Sequence, residues 1–227
     1  MPKYILIGLV VFAIGMFKKV FIADNLSIIV ESIFSGDEPL NFIHTWVGTF
    51  SFTMQIYFDF SGYIDMATGA ALLFGINLPV NFDSPYKSKS INEFWQKWHI
   101  TLSNFLMNFI YFPLSRSIKV ITFNKSMIFI LITFILAGLW HGPSWNYVIF
   151  GGIHGLGIIF HHFFKKKYNF KIYKFVSIFF TFNYINLSFI FFRSKDISTA
   201  LSIIKEMFNF SSFNNLVIMS QIYSLQF

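Results

Sequence analysis

Three stretches of this chain, 126–140, 145–164 and 175–192, contain no Asp, Glu, Lys or Arg and are predominantly apolar. Segments of that kind are too greasy to be the water-facing helices of a soluble domain, and a bilayer-spanning helix needs about 20 mostly apolar residues. Composition agrees: 12% of residues are charged, where a soluble domain carries about a quarter, and 55% are hydrophobic. Disorder is excluded, because it requires low hydrophobicity and high charge. The fold class expected is all-α, a polytopic integral membrane protein with about five spans plus interfacial or re-entrant helices.

The first candidate span is Tyr4 to Phe17, between Lys3 and Lys18. No small-residue cleavage site follows it, so it reads as a retained helix extended by Val20 to Ile22 rather than a signal peptide. A connection is expected over Ile33 to Leu40, and a second span over Asn41 to Phe60. Ser61 to Ile76 continues as a helix rich in small residues (Gly62, Ala67, Gly69, Ala70, Ala71), the composition that lets helices approach closely in lipid. Asn77 to Ser90, with two prolines, reads as a loop. Ile91 to Ser117 is an amphipathic segment of the kind that lies in an interface or lines a polar cavity. The tail reads as amphipathic from Ile197 to Phe210 and apolar from Leu216 to Phe227. The whole, residues 1–227, reads as a single membrane domain.

Seventeen basic residues against 10 acidic give a charge of +7. The basic residues cluster between apolar runs, as at Lys18-Lys19 and around Lys165, Lys171 and Lys174, which is a juxtamembrane pattern. They do not form an aromatic-interleaved surface, so no nucleic-acid partner is expected. There is no cysteine, so disulfides and thiolate ligation are impossible. Neither HExxH nor paired His at i, i+4 occurs, and no metal site is expected.

Intramembrane ionisable groups are costly, which makes each of the six histidines worth weighing. His161 and His162 adjoin the lysine cluster and His44 opens a span; all three read as interfacial. His154 lies among Gly151, Gly152 and Gly155, where packing is the simpler role. His141 follows an apolar span and sits at the break Gly138-Leu139-Trp140-His141-Gly142-Pro143. A broken helix at membrane depth is tolerated only inside protein or along a cavity. A histidine there is either a general base or a packed core side chain. His99 stands on the mixed segment with the same two readings. Asp59 and Asp65 lie six apart, so one helix would set them on different faces, each oriented by Ser, Tyr or backbone partners.

The motifs Gln55-Ile56-Tyr57-Phe58-Asp59-Phe60-Ser61-Gly62-Tyr63, Phe94-Trp95-x-x-Trp98-His99-Ile100-Thr101-Leu102-Ser103, Gly138-Leu139-Trp140-His141-Gly142 and Gly152-x-His154-Gly155 together resemble the membrane-bound O-acyltransferases. The similarity is greatest to the bacterial alginate and peptidoglycan O-acetyltransferase membrane subunits. Phe17 to Asn25 and Phe191-Phe192-Arg193 extend it in the same order. The resemblance implies a ring of helices around a tunnel, with His141 as the catalytic histidine and His99 as the second functional one.

It further implies transfer of an acyl group, acetyl in this branch, from a coenzyme A thioester to a hydroxyl of an exported or cell-envelope polysaccharide. No bound cofactor is implied; acetyl-CoA is a substrate. Trp95, Trp98, Trp140 and Trp145 are then expected to wall the tunnel and Asp59 to contact substrate, while Lys87, Lys89 and Lys97 either attract the coenzyme's phosphates or snorkel. The implied setting is multi-pass in the inner (plasma) membrane, beside a periplasmic or surface acetyltransferase partner. Members of the family carry several spans before the Phe17-Lys18-Lys19 segment, so the chain resembles a C-terminal portion. It also has Met107-Asn108-Phe109 where the branch commonly has Arg-Asp-Tyr. A transporter or channel-like protein, and an inactive fragment of an acyltransferase, are the alternatives.

Overall fold

A computed structural model describes residues 2–36, 40–168 and 173–214. Lys171 and the apolar stretch from Leu216 to Phe227 lie outside them, as does Pro39 of the first connection. The described chain is helical, with no β-strand and one isolated bridge, Phe82 to Trp98. Four helical runs are long and apolar enough to cross a membrane: Lys3–Phe34, Phe123–His141, Trp145–Lys167 and Lys174–Arg193.

The first run does not end at the lysine pair. Helix α1 (Pro2–Phe17) passes through a π-helical turn (Lys18–Ala23) directly into α2 (Asp24–Phe34). Helix α3 (Phe42–Leu73) absorbs both the second expected span and the small-residue segment into one rod of 32 residues, about 48 Å long. It is capped by Asn41, whose side chain accepts from His44 N–H. It runs antiparallel to α1–α2, because Gly15 meets Gly62 near one end and Ile33 meets Gly48 near the other. A Cβ on Gly15 would stand 2.6 Å from the Gly62 carbonyl oxygen. Glycine is therefore what permits this approach of two backbones.

The mixed segment is not one helix. It breaks into α4 (Ile91–Lys97), α5 (Ile100–Leu106), a π turn (Met107–Tyr111) and α6 (Phe112–Arg116). Helices α7 (Phe123–His141) and α8 (Trp145–Lys167) form a hairpin in which a Cβ on Gly138 would strike the Tyr147 carbonyl, and one on Gly151 the Phe134 carbonyl. Helix α9 (Lys174–Arg193) returns against α3. There the fully buried Asn186 accepts from Thr53 Oγ1 at 2.7 Å and donates to Thr49 Oγ1 at 3.3 Å. Interhelical amides and hydroxyls of this kind hold helices together where lipid offers no hydrophobic drive. Helix α10 (Ile197–Met207) closes the end of α3, with Trp46 Nε1 donating to the Met207 carbonyl.

Aromatic side chains fill the middle. Phe94, Trp98, Phe150 and Phe189 are buried, while Phe160, Phe175, Phe179 and Phe180 point outward at more than 60% exposure. An inside that is aromatic and an outside that is also apolar is the arrangement of a protein whose solvent is hydrocarbon.

Candidate active site

Each histidine is placed differently by its local backbone. His154, in mid-α8, is wholly buried. Its Nδ1 accepts from Trp95 Nε1 at 3.1 Å, which puts the ring proton on Nε2. Nε2 then donates to Ser188 Oγ at 2.9 Å, and that hydroxyl donates to the Ile185 carbonyl at 2.7 Å. Both nitrogens are used, so His154 ties α4, α8 and α9 together and has no lone pair for chemistry.

His99 is the opposite case. It sits at the break between α4 and α5 with φ +45°, a left-handed conformation that a non-glycine residue adopts only when its surroundings impose it. The surroundings here are the loop before α4. Asn81, buried, lays its backbone carbonyl on Ile100 N–H at 3.1 Å. Its side-chain Oδ1 accepts from Thr101 N–H at 3.2 Å and from Thr101 Oγ1 at 2.7 Å. His99 Nδ1 lies 3.2 Å from the same oxygen. Phe60 of α3 packs edge-on against the imidazole, centroids 4.8 Å apart. Burial holds the His99 pKa below the ordinary imidazole value.

His141 ends α7, partly exposed, with its ring wedged between Trp140 (centroids 4.9 Å apart) and Phe192 (5.0 Å). Among the described residues it has no hydrogen-bond partner. The two histidines stand at separate helix breaks on one aromatic cluster: Trp98, next to His99, packs on Phe189, and Phe189 on the Phe192 that meets the His141 ring, while Phe150 lies against both His141 and His154.

The tryptophans divide. Trp95 and Trp98 are buried, Trp95 on His154 and Trp98 among Phe82, Tyr86 and Phe94. Trp140 and Trp145 are 66% and 73% exposed. Only Trp140 and, through Phe60 and Phe82, Trp98 border the histidine pair. Asp59 is held by Lys19 at 2.6 Å and Asp65 by Lys18 at 2.5 Å. Their partners are therefore lysines of the first helical run, not the Ser, Tyr or backbone groups expected. Lys97 pairs with Glu93 at 2.8 Å, which leaves it less suited to phosphates. His44 is buried against its neighbours at the start of α3.

Asp59 also lines a cavity of about 280 Å³ with Gln55, Ile56, Phe52, Tyr147, Phe192 and Arg193. Tyr147 and Phe192 both touch the His141 ring, so the cavity is one side chain from that histidine. Gln55 Oε1 is buried there with no partner among the described residues. Nothing in the sequence signals that Asn81 bonds the His99 ring, or that Gln55, Tyr147 and Arg193 line one cavity with Asp59. A second cavity, about 590 Å³, lies between α4–α5 and α7–α8, lined in part by Trp95, Ser103, Asn104, Thr133 and His162.

Fold and site together define a helical membrane protein with two half-buried histidines at separate helix breaks on one aromatic cluster. The membrane-bound O-acyltransferase family model matches residues 2–204, and the chain belongs to that family. It is similar to a peptidoglycan O-acetyltransferase of Helicobacter pylori, 42% identical over 90% of this chain and 39% of that protein. It is also similar to a “Probable alginate O-acetylase” of Pseudomonas putida, 38% identical over 86% of this chain and 40% of that one. A teichoic acid D-alanyltransferase of Streptococcus thermophilus is 32% identical over 61% of this chain and 38% of its own length. The chain spans about two-fifths of the length of the relatives it matches.

Proposed function

We propose that the chain is the histidine-bearing part of an inner-membrane O-acyltransferase that moves an acetyl group from acetyl-CoA to a hydroxyl of an exported or cell-envelope polysaccharide. The observation that carries the reading is His141 at a helix break, without a hydrogen-bond partner among the described residues and against the Tyr147 and Phe192 that line a cavity with Asp59, Gln55 and Arg193. His141 takes the proton of the acceptor hydroxyl as its oxygen attacks the thioester carbonyl. The tetrahedral intermediate then collapses, the C–S bond breaks, and the leaving thiolate recovers that proton from the imidazolium. General-base help of this kind is worth about 10² to 10⁴ in rate.

His99 orients the acceptor rather than stabilising an oxyanion. A neutral ring whose Nδ1–H is given to Asn81 has only a lone pair on Nε2, which accepts a neighbouring hydroxyl but cannot donate to negative charge. Asp59 binds the sugar's other hydroxyls in this reading, supported by the cavity it lines with Gln55 and Arg193, the latter also paired with Glu31. Trp140 packs on His141, Trp98 adjoins His99, and a periplasmic or surface acetyltransferase completes delivery. The relatives' printed names, an O-acetyltransferase for peptidoglycan and an O-acetylase for alginate, support this acceptor class.

The test is transfer of label from radiolabelled acetyl-CoA in membranes carrying this chain, beside His141→Ala. Label in glycan or partner for wild type only supports the reading. Equal label in both removes His141 from its role.

A further inference from the structure

Helix α5 has an N-terminus whose own N-cap residue does no capping. The N-cap is His99, and its side chain makes no bond to the first-turn amides. Those amides go to Asn81 instead, Ile100 N–H to its backbone oxygen and Thr101 N–H to its side-chain oxygen. Capping in trans by a loop residue frees the imidazole from the work that Ser90 does for α4. It also stabilises the left-handed turn at His99 that no glycine is present to ease.

The same contacts settle which atom of Asn81 is oxygen. The group that receives the Thr101 amide proton must be an acceptor, so it is Oδ1 and not the amide nitrogen. His99 Nδ1, bonded to that oxygen, must then be the donor. The imidazole is therefore fixed as the Nδ1–H tautomer, with its lone pair on Nε2. A free neutral imidazole has no such constraint.

We infer that Asn81 is a positioning residue of the transfer site: it holds His99 at the helix break and selects the tautomer that keeps the acceptor lone pair on Nε2. The inference rests on the role given to His99 under the proposed function for its effect on turnover, but the tautomer itself does not. Charged and titratable groups near the ring are His141 on α7, Lys97 of α4 (held by Glu93), and Asp83, whose backbone N–H meets the Lys97 carbonyl at the same break. On α3, Asp59 beside Phe60 is neutralised by Lys19.

The substitutions Asn81→Asp and Asn81→Ala separate the possibilities. Asp keeps an oxygen acceptor for Thr101 and His99 but adds a negative charge that favours the imidazolium. The expected result is near wild-type transfer at high pH, with the acid limb of the kcat/KM profile moved upward. Ala removes the acceptor, and kcat/KM falls on the order of tenfold, the size of one lost buried hydrogen bond. An unmoved limb in Asn81→Asp together with unchanged kcat/KM per folded molecule in Asn81→Ala would make Asn81 merely structural, and that result overturns the inference.

A second arm needs no activity. In ¹⁵N-histidine-labelled protein in detergent, with His99→Gln to assign the signal, His99 should show a protonated Nδ1 and an unprotonated Nε2. A protonated Nε2 in the neutral wild-type ring would overturn the tautomer assignment. If the wild type transfers nothing while the Nδ1–H tautomer is present, the functional reading fails and the assignment of Asn81 to the tautomer stands.

Discussion

The interior of α8 around His154 and the two breaks at His99 and His141 hold the same side chain under opposite conditions. In the first region both ring nitrogens are bonded, to Trp95 and Ser188, and the residue is sealed from solvent. In the second, one ring has a single bond, to Asn81, and the other has none among the described residues. Burial alone does not tell a catalytic histidine from a structural one. What separates them is whether a lone pair remains after the fold has satisfied its own donors.

The largest effect that tests this contrast is on turnover. His141→Ala should lower transfer on the order of 10² to 10⁴, the contribution of a general base. His154→Gln should instead act through stability, with transfer per folded molecule nearly unchanged. Equal loss of turnover per folded molecule in both variants, measured with denaturation midpoints in the same detergent, would erase the distinction.

Next in size is the packing beneath the pair. Trp95→Phe keeps the aromatic body but strands His154 Nδ1, and a buried acceptor left without its donor costs about 1–3 kcal/mol. Ser188→Ala should cost a similar amount from the other side of the ring. Because the three residues form one chain of bonds, the double variant should cost less than the sum. Additive losses would mean that the chain is not cooperative.

The pH dependence sharpens the contrast further. Burial lowers the His99 pKa, so the ring stays neutral below the ordinary imidazole value of about 6.5. Nε2 therefore stays an acceptor as pH falls through 6.5, and is lost only when the ring protonates at lower pH. The His99-dependent limb of kcat/KM, isolated by comparison with His99→Gln, should lie below pH 6.5. A limb above that value would place a negative charge near the ring that these contacts do not supply.

Four of the expected spans were legible because hydropathy over about 20 residues is a property of sequence alone; the expected span Asn41 to Phe60 became part of α3, which is not among the four apolar runs. The helix break at His141 was legible too, where an apolar helix ends in glycine and proline. The break at His99 was not legible, since Trp98-His99 contains neither glycine nor proline and the turn is imposed by Asn81, 18 residues earlier. Asp59 and Asp65 were considered on one helix, where they diverge. Their partners, Lys19 and Lys18, come from a helix packed alongside, at the start of its π-helical turn. The histidines' roles were ambiguous for the same reason: sequence shows an ionisable group but not which of its bonds the fold will use.

Asp59 offers the smallest and most discriminating effect. It belongs to both sides of the comparison, bonded to Lys19 like a structural group yet lining the cavity next to His141 like a functional one. Both partners of the pair are near half exposed, Lys19 at 42% and Asp59 at 48%, so their mutual stabilisation should be at the exposed-pair level of about 0.2–1 kcal/mol. A double-mutant cycle of Lys19→Met and Asp59→Asn reads that coupling directly. Lys19 also holds Asp24 at 2.8 Å, so the Lys19 variant alone should cost slightly more than the Asp59 variant. If Asp59 only neutralises the lysine, Asp59→Asn will leave the KM for the acceptor unchanged. If it meets the acceptor's hydroxyls, KM will rise while the stability term stays within that small range, and the rise will persist in the Lys19→Met background. The second outcome is expected, because the carboxylate shares its cavity with Gln55, whose buried Oε1 has no partner in the described protein.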